Sequence, residues 1–518
     1  MWENDLGLLA SISNSREKLG CYSGLVSSNA HVFAPANVQE LIRIFAFARE
    51  KKCRITFRAG GHSFDGQAIG DDLVISLLRL DHIEVDVANK KVTVGPGAKW
   101  GAILSRLEPH GLVPAVTVTT EHATAGGTLS GDCLSRFSPA YGKEGTWIES
   151  FDLLLVSGER LSCREPREGI PYAQYTREER AFCGVIGGLG YLGAVVSITY
   201  RLLTVAASNG KIGVRTRVRK YRTFRTLAKE LIPVAKQTCE ERSDPNDATK
   251  LDAIYSALFV PRKGDPYALL MTSTFTSDPE RARMLLHRPN LGIRPFAEWI
   301  LRSDSITRFV WPLFYRLYEE DDEFVDDLHG FTFFMDGNVR AKEIAHRLGV
   351  ELKTVQQTFI VPSGPGTKGG WDAAEDDLVE WLDYAAKFFR ERDLQPALHD
   401  VLFLPVNERF LLSASAGLAG FAVSYAFETS NPETIAKVKQ AFTDLADILH
   451  DVFQGRVYLV KNVCARAETL QKMYGANARD FFLLKKELDP DLVLRNAFLE
   501  RTFGPLLNEV AGARSDVA

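Results

Sequence analysis

Apolar residues recur along this chain at two spacings, and each spacing predicts a different element. Over residues 37–48 (NVQELIRIFAFA) they fall at helical intervals, with Pro35 just ahead. Residues 53–58 alternate as a strand and run into Gly60 and Gly61. Residues 73–77 and 91–94 are further strands, with a turn at Asn89-Lys90, and residues 100–110 form a short helix that ends at Gly111. Residues 151–156 read as a buried strand before the Gly158-Glu159 turn, and 194–202 as another. Short strands and helices broken by glycine-rich turns, without an internal repeat, predict an α+β fold over residues 1–205.

Residues 206–460 differ in texture. The segments 221–234, 371–389 and 432–453 are amphipathic helices, and 253–259, 268–275, 330–335, 355–361 and 420–427 carry strand patterns. An antiparallel sheet backed by helices is the simplest account. PSGPGTKGG at 362–370 is a loop. The aromatic stretch 295–318, followed by EEDDEFVDD, reads as a core helix with a solvated acidic end, a mobile flap being the alternative. Residues 465–474 and 491–503 return to short helices that pack back on the first segment. The expected organisation is therefore 1–205, an inserted 206–460 and a returning 461–518.

Composition narrows the function classes. The 518 residues carry 62 basic against 66 acidic side chains, a formal net charge of −4. A nucleic-acid binder would show a basic surplus. No apolar run reaches the ~18–20 residues that span a bilayer, and the start lacks the basic-then-apolar pattern of a signal peptide. The seven cysteines, at 21, 53, 133, 163, 183, 239 and 464, include no CxxC pair. Reduced thiols in a cytoplasmic protein, with no metal site, are the expectation.

Two motifs look informative and are not. Gly188-Leu-Gly190-Tyr-Leu-Gly193 fits G-x-G-x-x-G, but the β-branched run that follows predicts a strand where a dinucleotide site needs a helix. Gly61-His-Ser63-Phe-Asp65 misses the nucleophile elbow at its last position. The chemistry sits elsewhere, in three glycine-rich loops: 58–66, 124–132 and 187–190. Glycines directly after a strand let backbone N–H groups approach a phosphate. Three such loops imply an extended, phosphate-bearing ligand.

RAGGHSFDG (58–66), ATAGGTLSGD (123–132), FDLLLVSGE (151–159) and GGLGYLGAVVSITYRL (187–202), with YGANARDFFLLKKELDP (474–490) and LRNAFLERTFG (494–504), occur in an informative order. In that order the chain resembles the vanillyl-alcohol oxidase / p-cresol methylhydroxylase (PCMH) superfamily of flavoproteins. The resemblance implies a two-domain PCMH-type FAD-binding fold with an inserted substrate domain. It implies FAD held by Gly60, Gly61, His62, Ser63, Phe64, Asp65 and Gln67 of the first loop. Around the second loop the implied contacts are Thr119, Thr124, Gly126, Gly127, Gly131, Asp132 and Leu134, and beyond these Val195 and Tyr458. In covalent members the histidine of the GGHS loop carries the flavin C8α-methyl group, and His62 occupies that position. The cysteine of the doubly tethered berberine-bridge subgroup has no counterpart in TVTTEHA (117–123), so one covalent link is implied.

Within the superfamily, GFTFFMDG (330–337), VQQTFIVP (355–362) and GRVYLVKNVCARAETLQKMY (455–474) are most similar to the decaprenylphosphoryl-ribose 2'-oxidase family. Lys461 matches the lysine that lies there beside flavin and substrate hydroxyl. The implied catalytic set is Lys461, Gln357 and Tyr141, with Gln356, Thr358 and His122 toward substrate. That family has arginine at the place of His62, aspartate at that of Asn462 and glutamine at that of Thr358. A smaller sugar, polyol or nucleoside-like alcohol is therefore expected, oxidised to a carbonyl by hydride transfer to flavin N5. Oxygen or another acceptor would complete the cycle, in a monomer or homodimer. A berberine-bridge-like natural-product oxidase, a flavin-dependent C=C reductase and a non-catalytic flavin binder are the alternatives.

Overall fold

The computed structural model describes residues 7–512, apart from 8, 242–243, 245, 248, 262–263, 278–320, 337–341, 343–345, 348, 350 and 408. The aromatic stretch 295–318 lies outside the described residues. The fold is α+β, built on three sheets.

The first sheet orders Asn14–Gly20, Ser27–Phe33, Leu73–Ser76 and Ile55–Arg58, the last two pairs parallel. The helix Val38–Lys51 makes the crossover a parallel pair needs. Asn37 starts it by accepting the Glu40 N–H, and Lys52 ends it in the left-handed region at φ 54°. Its buried stripe of Leu41, Ile44, Phe45, Phe47 and Ala48 packs on Phe33, Ile55, Leu73 and Ile75. The strand Ile55–Arg58 thus ends, with its back covered, where the first glycine loop begins.

The second sheet centres on Ala194–Thr204, which pairs with Lys91–Val94 on one side and Ile148–Leu154 on the other. The G-x-G-x-x-G segment does run into a strand, as its β-branched sequel predicts.

The third sheet has eight antiparallel strands, in the order Asp322–Asp327, Gly213–Tyr221, Tyr267–Thr276, Ala253–Phe259, Leu398–Leu404, Gly420–Thr429, Lys353–Pro362 and Arg456–Val457. The helices Phe224–Glu240, Ala374–Glu391 and Pro432–Phe453 cover one face, where Phe359, Tyr425, Trp381, Phe389 and Phe442 form an aromatic core.

Two local expectations are corrected. Residues 330–335 are no strand: Leu328–Thr332 is a helical turn started by Asp327, whose carboxylate accepts the Gly330 N–H. Their aromatic content suited a strand, but the cap fixes the backbone first. The acidic run is no solvated helix end either. Asp322–Asp327 is an edge strand, with Glu323 paired 2.8 Å from Arg215 on its neighbour.

The C-terminal helices Ala467–Leu488 and Ala497–Gly512 return to the first segment. Asn496 donates to the carbonyls of Gly66, Gln67 and Ile69, and the Ile55 N–H donates to Val493 O. Lys485, fully buried, donates to the Tyr191 and Leu494 carbonyls and pairs with Asp489 at 2.9 Å. No helix is long and apolar enough to cross a membrane among the described residues. All seven cysteines are free.

Candidate functional site

A cavity of about 340 Å³ lies between the glycine loops of the first segment and the uncovered face of the eight-stranded sheet. Its floor begins where Ile55–Arg58 gives way to Gly60, Gly61, His62, Ser63 and Phe64. Gly61 sits at φ 70°, and a Cβ on Gly60 would lie 2.9 Å from the His122 carbonyl, so the turn needs glycine at both places. The second wall is Thr124, Gly126, Gly127, Ser130 and Gly131. A Cβ on Gly126 would meet Pro96 Cβ at 2.6 Å. The hydroxyls of Ser63 and Thr124 are buried here without a hydrogen-bond partner, an arrangement that costs free energy until a polar ligand arrives. Bare glycine backbone beside two orphan hydroxyls fits a dinucleotide pyrophosphate.

His62 lines the cavity between two rings: Tyr22 at 5.8 Å between centroids and, nearly parallel, His122 at 6.3 Å. Burial, followed by neighbouring His122, pushes its pKa down to about 4, so the imidazole is neutral at neutral pH. Asp65 is turned away from the cavity. It caps the Gly66 N–H, accepts the Val463 N–H and pairs with Arg501 at 2.8 Å. Gln67 reaches across to donate to the Leu459 and Lys461 carbonyls. The first loop therefore also fixes the segment after Arg456–Val457 that carries Lys461.

The ceiling is set by the pleat. Thr354, Gln356 and Thr358 of one strand, Ser424 and Glu428 of the next, and Asp400 of the third all face the cavity. Thr358, Ser424 and Asp400 stand in one cross-strand row, and the first two hydroxyls are 2.8 Å apart.

The same pleat corrects Gln357. It points to the helix-covered face, donates to Phe442 O at 3.2 Å and accepts the Cys464 N–H at 2.6 Å. Gln356→Leu is expected to raise KM several-fold with little loss of stability. Gln357→Leu, which strands two backbone groups, is expected to cost about 1–3 kcal/mol in urea denaturation.

Lys461 and Asp400 both line the cavity, and both are half-buried. They form no direct ion pair, although each feels the other's charge. Burial lowers the Lys461 pKa while Asp400 opposes the shift, and burial pushes Asp400 up to about 6. The Lys461 ammonium lies 4.1 Å from the centroid of Phe64. Tyr458 lines the cavity and donates to the Gly131 and Asp132 carbonyls.

Of the remaining expected residues, Thr119 and Leu134 line the cavity. Asp132 does not: it is bound to Lys143 at 2.8 Å, to Ser413 and to the Gly145 N–H. Tyr141 is removed from the cavity, with its hydroxyl on the Asp252 carboxylate. His122 stacks on His62 instead of lining the wall. Val195 borders a smaller cleft that shares Gly126, Ser130 and Gly190 with the main cavity. Asp400, Glu428, Ser424, Tyr22 and Arg136 were not foreseen. Arg136 lies over the rings of Phe334 at 3.7 Å and Phe331 at 4.5 Å. For Asp400 the signal was a carboxylate at the head of an apolar strand run in LHDVLFL (398–404).

The comparisons agree with this geometry. Residues 29–164 match the family model described as FAD binding domain, and residues 416–502 that of D-arabinono-1,4-lactone oxidase. L-gulonolactone oxidase of Bos taurus is 27% identical over 32% of this chain and 36% of its own length. Cytokinin dehydrogenase 2 of Oryza sativa subsp. japonica is 30% identical over 31% of this chain and 28% of its own. The chain thus spans about a third of those two relatives. D-lactate dehydrogenase of Archaeoglobus fulgidus is 23% identical over 63% of this chain and 73% of its own. The two family models fall on the glycine loops and on the segment that carries Lys461 and the returning helices. These matches support a flavoprotein that resembles FAD-linked oxidases and dehydrogenases, with its FAD binding domain in residues 29–164.

Proposed function

We propose that the protein is an FAD-dependent oxidoreductase that converts an alcohol on a sugar, polyol or nucleoside-like substrate to a carbonyl. Residues 1–205 and 461–518 form the FAD half and 206–460 the substrate half. The observation that carries this reading is the ceiling: hydroxyl, amide and carboxyl side chains at alternate positions of three strands, facing the glycine loops. Such a wall suits a ligand with many hydroxyls, each able to donate and accept.

FAD would lie along Gly60–Ser63 and Gly126–Gly131 with Tyr458 beside it, and when bound it supplies the acceptor for the hydride. The chain's own part is the proton. Asp400 takes it from the substrate hydroxyl as the C–O bond gains double-bond character, and Lys461 holds the oxygen by charge-assisted hydrogen bonding. Gln356, Thr358 and Ser424 orient the neighbouring hydroxyls. His62 tethers the flavin, and its neutral, buried ring suits nucleophilic attachment.

Two measurements test this. Acid-precipitated wild-type protein is expected to keep its yellow colour and His62→Ala to lose it into the supernatant. A protein that binds no added FAD overturns the whole reading. Asp400 must be a carboxylate to accept a proton, so kcat/KM is expected to fall about tenfold per pH unit below about 6. That limb should vanish in Asp400→Asn; a limb unchanged in the variant assigns the proton elsewhere.

A further inference from the structure

We infer that His122, backed by Glu121 and Asp336, accepts the proton His62 gives up when its bond to the flavin forms. This rests on the His62 tether proposed above, and it assigns the attachment chemistry a second residue.

Three observations converge. First, the two imidazoles are interplanar at 10° with centroids 6.3 Å apart, a separation across which a single water could relay a proton. Gly60 makes the approach possible, since a Cβ there would lie 2.9 Å from the His122 carbonyl and 3.2 Å from His62 Cδ2. Second, ligand-type atoms of Glu121, His122 and Asp336 lie within 4.8 Å of one another, with Glu121 Oε1 3.7 Å from His122 Nε2. Asp336 is held by the Glu121 N–H through one oxygen, while its other oxygen is buried without a partner. A base flanked by two carboxylates can carry the positive charge it gains. Third, the exposure is graded. His62 is in the cavity wall, whereas the His122 side chain is 45% exposed. A proton passed outward therefore reaches solvent.

Chemistry requires such an exit. The bond that forms joins a His62 ring nitrogen to flavin C8α; the bonds that break are C8α–H and the His62 N–H. The electron pair of the C–H bond would pass to the isoalloxazine ring and from it to dioxygen, which leaves as hydrogen peroxide with two protons, equal in number to those lost from C8α and His62. If the N–H proton stayed, the product would be an imidazolium in a wall that already holds His62 neutral by burial. Transfer to His122 removes that buried charge.

The test follows acid-stable flavin over time in purified wild type, His122→Ala, His122→Gln and Glu121→Gln, incubated aerobically with FAD. Total bound FAD is measured in parallel. Both His122 variants are expected to bind wild-type amounts of FAD and to form acid-stable flavin at least tenfold more slowly. Added imidazole should restore the rate in His122→Ala, which a purely structural role would not allow, and Glu121→Gln should be intermediate. Wild-type rates in either His122 variant overturn the inference, as does acid-stable flavin that falls only in proportion to total bound flavin. Wild type without any acid-stable flavin removes the tether itself, a separate outcome that leaves alcohol oxidation by dissociable FAD measurable.

Discussion

Lys461→Met is expected to slow anaerobic bleaching of the flavin by the proposed alcohol substrate by about 10²–10⁴-fold, the range set by losing one positioned donor or proton-transfer group. The side chain lines the cavity with Asp400, over the ring of Phe64 in the flavin loop. Methionine keeps most of the volume and removes the charge. In the proposed site the substrate oxygen then loses its cation, and Asp400 loses one of the two cations, with Arg136, that oppose its burial. Flavin content should stay near the wild-type level, because Lys461 Nζ meets the flavin loop only at the Phe64 ring and not at its glycine backbone. Stopped-flow reduction with the best member of a sugar, polyol and nucleoside panel reads the effect. A loss under tenfold would show that Lys461 is a wall residue and nothing more.

The second large effect falls on stability. Lys143 and Asp132 form an ion pair at 2.8 Å with side-chain exposures of 1% and 0%. The same carboxylate accepts from Ser413 at 2.6 Å and from the Gly145 N–H at 3.0 Å. Lys143→Met strands the carboxylate next to Glu144, itself buried and pushed up to about 8 by that burial. Removing one partner of such a pair typically costs about 3–5 kcal/mol. The double variant Lys143→Met with Asp132→Asn should recover part of the loss, since no bare charge is left. Urea denaturation of the three proteins measures it. A single variant within about 1 kcal/mol of wild type would mean that the pair is not held as two charges.

Asp132 shows where sequence reading reached its limit. Its place at the end of a glycine loop was legible, and so were the loops themselves, because glycine before a tight approach is a local requirement. Its partners were not, since Lys143 and Ser413 meet it only after the fold brings three segments together. Gln356 and Gln357 make the same point within one strand. Period-two alternation says that only one of two neighbours can face the cavity, but choosing which needs the helix Pro432–Phe453 on the other side. The elements themselves were legible wherever periodicity was long, as in that helix, which runs over the expected residues. They were misread where a single cap outranked composition, as at Leu328–Thr332.

The pleated ceiling separates two kinds of selection. Thr354, Gln356 and Thr358 of Lys353–Pro362 and Ser424, Ala426 and Glu428 of Gly420–Thr429 meet the cavity, while Val355, Gln357, Phe359, Phe427 and Tyr425 lock the sheet to its helices. Replacing residues of one parity changes what the cavity admits; replacing those of the other changes whether the sheet holds. A lineage can therefore exchange substrates by drift at a few cavity-facing positions of these strands while the fold stays under constant purifying pressure. Directed libraries confined to 354, 356, 358, 424 and 428 would sample that same freedom with few unfolded members, leaving Asp400 in place for the proton.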